Sequence, residues 1–193
     1  MQQDKNFIET LPGLTRRQIL TAGVLGSLVC LAPVQALAKL SLTGVQERSL
    51  SLLNTHTGER LKEVVYWEKG DYILDALENL NHVLRDHRTN QVHPIDPMTL
   101  DLMAAISRKV GAKQPFEIIS GYRSPQTNKS LSKQSRGVAK NSYHMQGKAV
   151  DLRLPGVPLK AVRKAALELR MGGVGYYAKS DFVHIDSGKV RSW

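Results

Sequence analysis

The sequence predicts an α+β protein, and three observations carry the prediction. Runs with apolar residues at 3.6-residue spacing and short runs of period 2 occupy separate stretches. Hydrophobic residues make up 41% of the 193, enough for a globular core. No internal repeat is present. The first elements are Ser49 to Leu53 and Leu61 to Trp67, both apolar-rich, with Thr57-Gly58 between them as good turn chemistry; together they read as a hairpin. Asp71 to His87 reads as a helix, because Ile73, Leu74, Leu77, Leu80 and Leu84 share one face, with Asp71 as its cap. Arg88 to Pro97 is polar and Pro-containing, hence a loop. Met98 to Val110 is a second amphipathic helix, ended by Gly111. Phe116 to Ser120 is a short apolar strand. The polar, basic stretch from Pro125 to about Lys140 is a loop or a weak helix. Ala149 to Leu154 alternates as a strand does. Pro158 to Arg170 is helical, with Pro158 in the first turn and Gly172-Gly173 as its break. Val174 to Tyr177 and Phe182 to Asp186 complete the strands.

The N-terminal 38 residues read as an address. Thr15-Arg16-Arg17-Gln18-Ile19-Leu20 is a twin-arginine pattern, followed by an apolar run to about Leu37 and the cleavage signature Ala36-Leu37-Ala38. The run contains Gly23, Gly26 and Pro33 and is weakly apolar for a bilayer span. A Tat signal peptide over 1–38, export by the Tat translocase to the periplasm, and one domain over 39–193 are therefore expected. Val29 before Cys30 is too large for a lipobox, so no lipid or other stable membrane anchor is expected. Cys30 is the sole cysteine. The mature chain then has no thiol, and any metal site must be built from His and carboxylate.

Net charge is +10; cleavage removes three basic and two acidic residues and leaves +9 on the folded domain. Such a domain attracts polyanions: nucleic acid, acidic lipid or an anionic wall polymer. The chain has no zinc-finger spacing, no aromatic RNP-type run and no basic heptad helix, so nucleic acid is not the expected partner. The basic stretch Lys129, Lys133, Arg136 and Lys140 is either a solvated loop face or a rim that steers an anionic substrate.

Two segments carry chemistry. In Ser142-Tyr143-His144-Met145-Gln146-Gly147-Lys148-Ala149-Val150-Asp151, a His and an Asp lie seven apart, with Gly147 where the chain can turn back beside a strand start. In Phe182-Val183-His184-Ile185-Asp186, period-2 alternation puts His184 and Asp186 on one sheet face. Two His and a carboxylate form a catalytic zinc set with one position left for water. Spacing alone leaves His144 and Asp151 open between ligand and ordinary residue. His56, His82, His87 and His93 read as surface or satisfied core histidines, and Trp67 and Trp193 as core or edge packing.

Ser142-x-His144-x-x-Gly147-x-Ala149-x-Asp151 resembles the zinc motif of the LAS metallopeptidases, the lysostaphin, D-Ala-D-Ala metallopeptidase and hedgehog group. Ser120-Gly121-Tyr122-Arg123-Ser124-Pro125 resembles their upstream arginine motif. Gly173 to Tyr177, Phe182 to Gly188 and the hairpin turn Asn54 to Glu59 resemble the YcbK-like murein endopeptidase branch. The resemblance spans about residues 48–193. It implies a small antiparallel sheet with flanking helices and the zinc site on the sheet face. It implies that His144, Asp151 and His184 bind Zn2+ and that Arg123 meets a substrate carboxylate or carbonyl, a task for which its rigid fork of donors is suited. Ser142 and Tyr143 are candidate donors to the oxyanion of the substrate, or structural hydroxyls.

Many LAS relatives place a Glu three residues before the last His as general base. Asp181 stands there in this chain, and Asp186 is its rival, either as base or as the partner that orients His184. The implied activity is zinc-dependent cleavage of peptide cross-links in peptidoglycan, 3-3 diaminopimelate links first and 4-3 links second. A D-Ala carboxypeptidase and a non-catalytic wall-binding protein are the alternatives.

Overall fold

The computed structural model describes residues 46–135 and 137–193. The twin-arginine segment, the cleavage site, Cys30 and Arg136 lie outside the described residues. β1 (Glu47–Asn54) and β2 (Arg60–Glu68) pair as the antiparallel hairpin that Thr57-Gly58 announced. The chain then makes a second, tighter hairpin into β3 (Asp71–Tyr72). Trp67 faces Tyr72 and Glu68 faces Asp71 across Lys69-Gly70, both of positive φ, the signature of a two-residue type I′ turn. Asp71 is thus spent on a strand and does not cap a helix. α1 covers Leu74–Val83, shorter at both ends than Asp71 to His87, with Ile73 at its N-cap and no side-chain cap bond. Its C-terminal end is set from outside: the Leu84 carbonyl accepts from the Tyr122 N–H at 2.7 Å.

α2 (Pro97–Val110) is capped by the Asp96 side chain, which accepts from the Met98 N–H, and ends at Gly111 in the left-handed region. β4 (Phe116–Ser120) leads into α3 (Pro125–Gln134), whose N-cap Ser124 accepts from the Thr127 N–H. The polar stretch after Pro125 is therefore helical over its first ten residues. β5 (Ala149–Arg153) precedes α4 (Leu159–Leu169). α4 stops at Arg170, itself left-handed, two residues before the Gly pair expected to break it, and Pro158 sits just outside its first turn. β6 (Gly173–Tyr177), β7 (Phe182–Asp186) and β8 (Arg191–Ser192) complete the chain.

The α+β class holds, but the small antiparallel sheet does not. The sheet has eight strands in the order β3-β2-β1-β4-β5-β7-β6-β8, and it is mixed: β1 runs parallel to β4 and β6 parallel to β8. Alternation gives it two unlike faces. On one face Leu50, Leu52, Ile118, Val150, Leu152, Val183, Ile185 and Val174 join Leu80, Leu84, Leu100, Met103, Ile106, Val162 and Ala166 of the helices in one core cluster. At about 25 cal/mol per Å2 of apolar surface removed from water, burial of this cluster is the main stabilising term. The other face carries Asp151, His184 and Asp186 where an apolar residue would otherwise stand. No helix among the described residues is long and apolar enough to cross a membrane.

Candidate active site

Register builds the site. β5 and β7 are antiparallel neighbours with Asp151 directly opposite His184, so the two side chains leave the sheet on the same face. His144 arrives from a single 3-10 turn, Tyr143–Gln146. Ser142 starts the turn, its Oγ accepting from the His144 N–H at 3.3 Å, and Gly147 ends it at φ +65°. Gly147 has a second reason to be glycine, because a Cβ there would run into the carbonyl oxygen of Pro94.

Both imidazoles are oriented by acceptors that fix their protons. The His144 Nδ1 lies 2.8 Å from the Gly121 carbonyl oxygen, which can only accept, so Nδ1 carries the hydrogen and Nε2 presents a lone pair. His184 Nε2 lies 3.0 Å from Asp186 Oδ2 and donates to it, which turns Nδ1 inward. The inward atoms converge. His184 Nδ1 is 2.8 Å from Asp151 Oδ1 and 3.2 Å from His144 Nε2, and His144 Nε2 is 3.3 Å from the same Oδ1. All three residues are buried.

Lone pairs and a carboxylate facing one another at this range repel unless a cation or a proton sits among them. Without a metal the proton goes to His184. Burial opposes this, but the hydrogen bonds to Asp151 and Asp186 outweigh it and push His184 up to about 9. Burial likewise opposes ionisation of Asp151, yet His144 and His184 hold its carboxyl well below the usual range. Metal-ligand bonds of 2.0 to 2.1 Å at tetrahedral angles put donor atoms about 3.3 Å apart. The three observed separations fit, and the trio could hold a metal ion.

The trio floors a cleft of about 500 Å3. One wall is the segment after α3, with Ser135 and Gly137 to Ala139; the other is aromatic, with Tyr177, Phe182 and Trp193. Arg123 joins the floor. Its Nη2 is 3.6 Å from Asp151 Oδ2 and donates to Ser120 Oγ at 3.3 Å, while Nε has no partner among the described residues. A bulge in β4 brings Ser120 opposite Asp151. Burial pulls the Arg123 guanidinium below its ordinary pKa, with Asp151 opposing the shift. A second cavity of equal volume lies between β1, β2 and the segment before β4. It contains no His, so the convergent donors assign the chemistry to the first.

Residues 42–193 match the family model described as peptidoglycan L,D-endopeptidase MepK. The peptidoglycan L,D-endopeptidase MepK of Escherichia coli strain K12 is 44% identical over 178 residues, covering 92% of this chain and 96% of that protein. The Shigella flexneri protein of the same name gives the same figures. A probable peptidoglycan L,D-endopeptidase MepK of Haemophilus influenzae is 43% identical over 179 residues, covering 92% and 95%. The chain belongs to the MepK family of peptidases. It is therefore a hydrolase of peptide bonds.

Within this MepK-type cleft the sequence-predicted residues take different places. Ser142 is buried at the cleft, and its hydroxyl caps the turn that holds His144. Asp186 stands behind His184, wholly buried. Its Oδ1 accepts from Gly173 N, Gly188 N and Arg191 Nη1, and its Oδ2 from His184 Nε2 and Arg191 Nη2. Asp181 is left-handed at φ +52°, exposed in the turn between β6 and β7, and its Oδ2 pairs with Arg153 Nη1 at 2.9 Å. Its neighbours Ser180 and Phe182 line the cleft. Period 2 placed His184 and Asp186 together. Arg191 and Trp193, which also line the cleft, were not found that way. The available signal was Gly175, a glycine inside a strand and opposite His184, which marks close approach of another group.

Proposed function

We propose that this chain is a zinc-dependent peptidoglycan endopeptidase that cuts peptide cross-links, with His144, Asp151 and His184 as the zinc ligands. The observation that carries the reading is the convergence of three inward donor atoms at the floor of a cleft, with both imidazoles held by a partner on their other side. The relatives' name supports peptidoglycan as substrate and an L,D bond as target. A 3-3 link joins two diaminopimelate residues through such a bond, whereas a 4-3 link starts from D-alanine, so 3-3 links are the favoured class. The basic domain supports attraction to an anionic wall polymer. A family match over residues 42–193 supports reading 39–193 as the peptidase domain; Arg16-Arg17 and Ala36-Leu37-Ala38 support 1–38 as a cleaved Tat signal, with the periplasm as destination.

Bound zinc would supply a Lewis acid for the scissile carbonyl and the attacking water. The protein does the rest. Asp186 fixes the tautomer and tilt of His184, as such outer partners do for metal-bound histidines. Its oxygens already accept five hydrogen bonds against about four lone-pair sites, so it has no room to take a proton from water. Asp181 is the remaining candidate: exposed, flanked by two residues that line the cleft, and paired with Arg153. We assign it the general base. Arg123 meets a carboxylate of the stem peptide, replacing its long contact to Asp151 by a bidentate pair.

The test is digestion of purified muropeptide dimers by the 39–193 protein, with and without chelator, read by mass spectrometry. Dimers should fall to monomers, chelator should stop this, and zinc should restore it. Intact dimers in the presence of zinc-loaded protein would move the assignment to a carboxypeptidase or a wall-binding protein. For the base, Asp181→Asn should abolish turnover with zinc content unchanged; full activity would exclude it. For export, lysines in place of Arg16 and Arg17 should trap the precursor inside the cell.

A further inference from the structure

The aromatic wall of the cleft contains a hydroxyl whose hydrogen has no acceptor among the described residues. Gly175 stands opposite His184 in the β6–β7 ladder, and Trp193 occupies the space a side chain there would fill. A Cβ on Gly175 would lie 2.7 Å from the indole Cε2 and 2.9 Å from Nε1. Two main-chain bonds seat the indole: Tyr176 N donates to Trp193 O at 3.0 Å, and Trp193 N to Val174 O at 3.2 Å. Its ring centre is 5.2 Å from that of His184, and Arg191 lies over it at 4.9 Å.

From that seat Nε1 reaches the Tyr177 hydroxyl oxygen at 2.8 Å. An indole N–H can only donate, so the phenol oxygen accepts. The phenol's own hydrogen is left over, and no acceptor takes it among the described residues. Tyr177 is two residues beyond Gly175, hence on the same sheet face as His184. Its ring is stacked on Phe182 at 4.6 Å, and it lines the cleft.

We propose that the Tyr177 O–H donates a hydrogen bond to the scissile carbonyl oxygen as it becomes an oxyanion, and that Trp193 is the positioning residue that aims it. This rests on reading the cleft as a peptidase site. The water oxygen bonds to the carbonyl carbon, and the carbonyl pair moves onto the oxygen facing Tyr177, which keeps its proton. The pair then returns, the C–N bond breaks, and the leaving amine takes the proton that Asp181 had removed from water. A donor held in place before the reaction is worth far more than one recruited from solvent.

The experiment compares wild type, Tyr177→Phe, Trp193→Phe and the double variant, zinc-loaded, on a muropeptide dimer. Tyr177→Phe keeps the ring and its stacking. It should lower kcat by about 10²-fold with KM within about twofold. Trp193→Phe removes the N–H and should give a smaller fall in kcat, which vanishes in the Tyr177→Phe background. Calorimetry supplies a readout apart from turnover. A phosphinate mimic of the tetrahedral stage should bind Tyr177→Phe about 10²-fold more weakly, while the cleaved product binds both proteins alike. An unchanged kcat, or a raised KM alone, would make Tyr177 a packing platform and overturn the proposal. If wild type cleaves no muropeptide, the proposed function fails and this inference with it.

Discussion

Two buried aspartates show what separates a structural carboxylate from a functional one. Asp101 on α2 and Asp151 on β5 are both 7% exposed, and each has an arginine nearby. Asp101 is surrounded by groups that bring their own hydrogens: Arg48 Nη1 at 2.8 Å, Tyr66 Oη at 2.9 Å and Tyr72 Oη at 3.2 Å. Burial, reinforced by Asp101, pushes the Tyr66 phenol far above its ordinary pKa, so it stays a donor. Both Asp101 oxygens are thus taken up, although Arg48 Nε has no partner among the described residues. Asp151 instead faces two imidazoles whose outer N–H groups are committed to Gly121 and Asp186, and its arginine stands off at 3.6 Å. Equal burial thus yields a closed knot in one place and an open donor set in the other, and the protonation of the partners decides which.

The sharpest break of this comparison is to remove the negative charge from each. Asp151→Asn should lose zinc and drop turnover by about 10³-fold or more, since a ligand and the open site depend on it. Zinc content by elemental analysis and the dimer assay check both. Asp101→Asn should leave zinc and kcat near wild type, yet destabilise the fold by about 3 kcal/mol, because Arg48 would be left buried without its charge partner. Urea denaturation of the zinc-loaded protein measures it. A zinc loss in the Asp101 variant, or full turnover in the Asp151 variant, would show the distinction to be wrong.

Asp186 lies between these cases, saturated like Asp101 but acting on His184, a proposed ligand. Asp186→Asn should weaken zinc affinity by about 10- to 100-fold, the usual cost of losing an outer-shell partner. Arg191→Lys, which keeps the charge but not the paired N–H contacts, should give a smaller loss in the same direction. Competition against a chromophoric chelator reads both. An unaltered affinity in Asp186→Asn would remove it from the zinc site.

The two clusters were unequally legible in the sequence. His144, Asp151 and His184 were grouped by the resemblance to the LAS motifs; spacing alone left His144 and Asp151 open, and His184 meets Asp151 only through the β5–β7 pairing. Asp186 sharing a face with His184 followed from period 2. Its saturation did not, because Gly173 and Arg191 reach it only through the β6–β7 and β6–β8 pairings. Trp193 read as core or edge packing for the same reason, since nothing within Val190 to Trp193 says that a glycine opposite His184 leaves room for an indole. β3 and β8 have two residues each, too few to show a period. The parallel β1–β4 contact joins segments more than sixty residues apart, and so the sheet's size and mixed sense escaped a reading based on neighbours.

The histidines offer the last and smallest test, because the chain holds a second pair with no carboxylate between the rings. His56 and His87 stack at 3.8 Å with an interplanar angle of 12°. Where Asp151 and Asp186 raise His184, His87 goes the other way. Burial, then the neighbouring His56 and Arg88, lower it to about 4, with Asp86 opposing. Its folded pKa is below the ordinary 6.5, so the unfolded chain binds the proton first as pH falls. The stability that neutral His87 contributes is complete above about pH 6.5 and is lost between there and about 4. The ring is partly in solvent, so the loss should be about 1 kcal/mol. Proton NMR should find His87 titrating near 4, and His56→Asn should raise that value only in part, since burial is the larger cause. Urea midpoints for His87→Gln should fall less steeply than wild type across this window. A His87 titrating at 6.5 would mean that stacking and burial do not set its charge, and would leave the carboxylates as the only groups that tune a histidine in this chain.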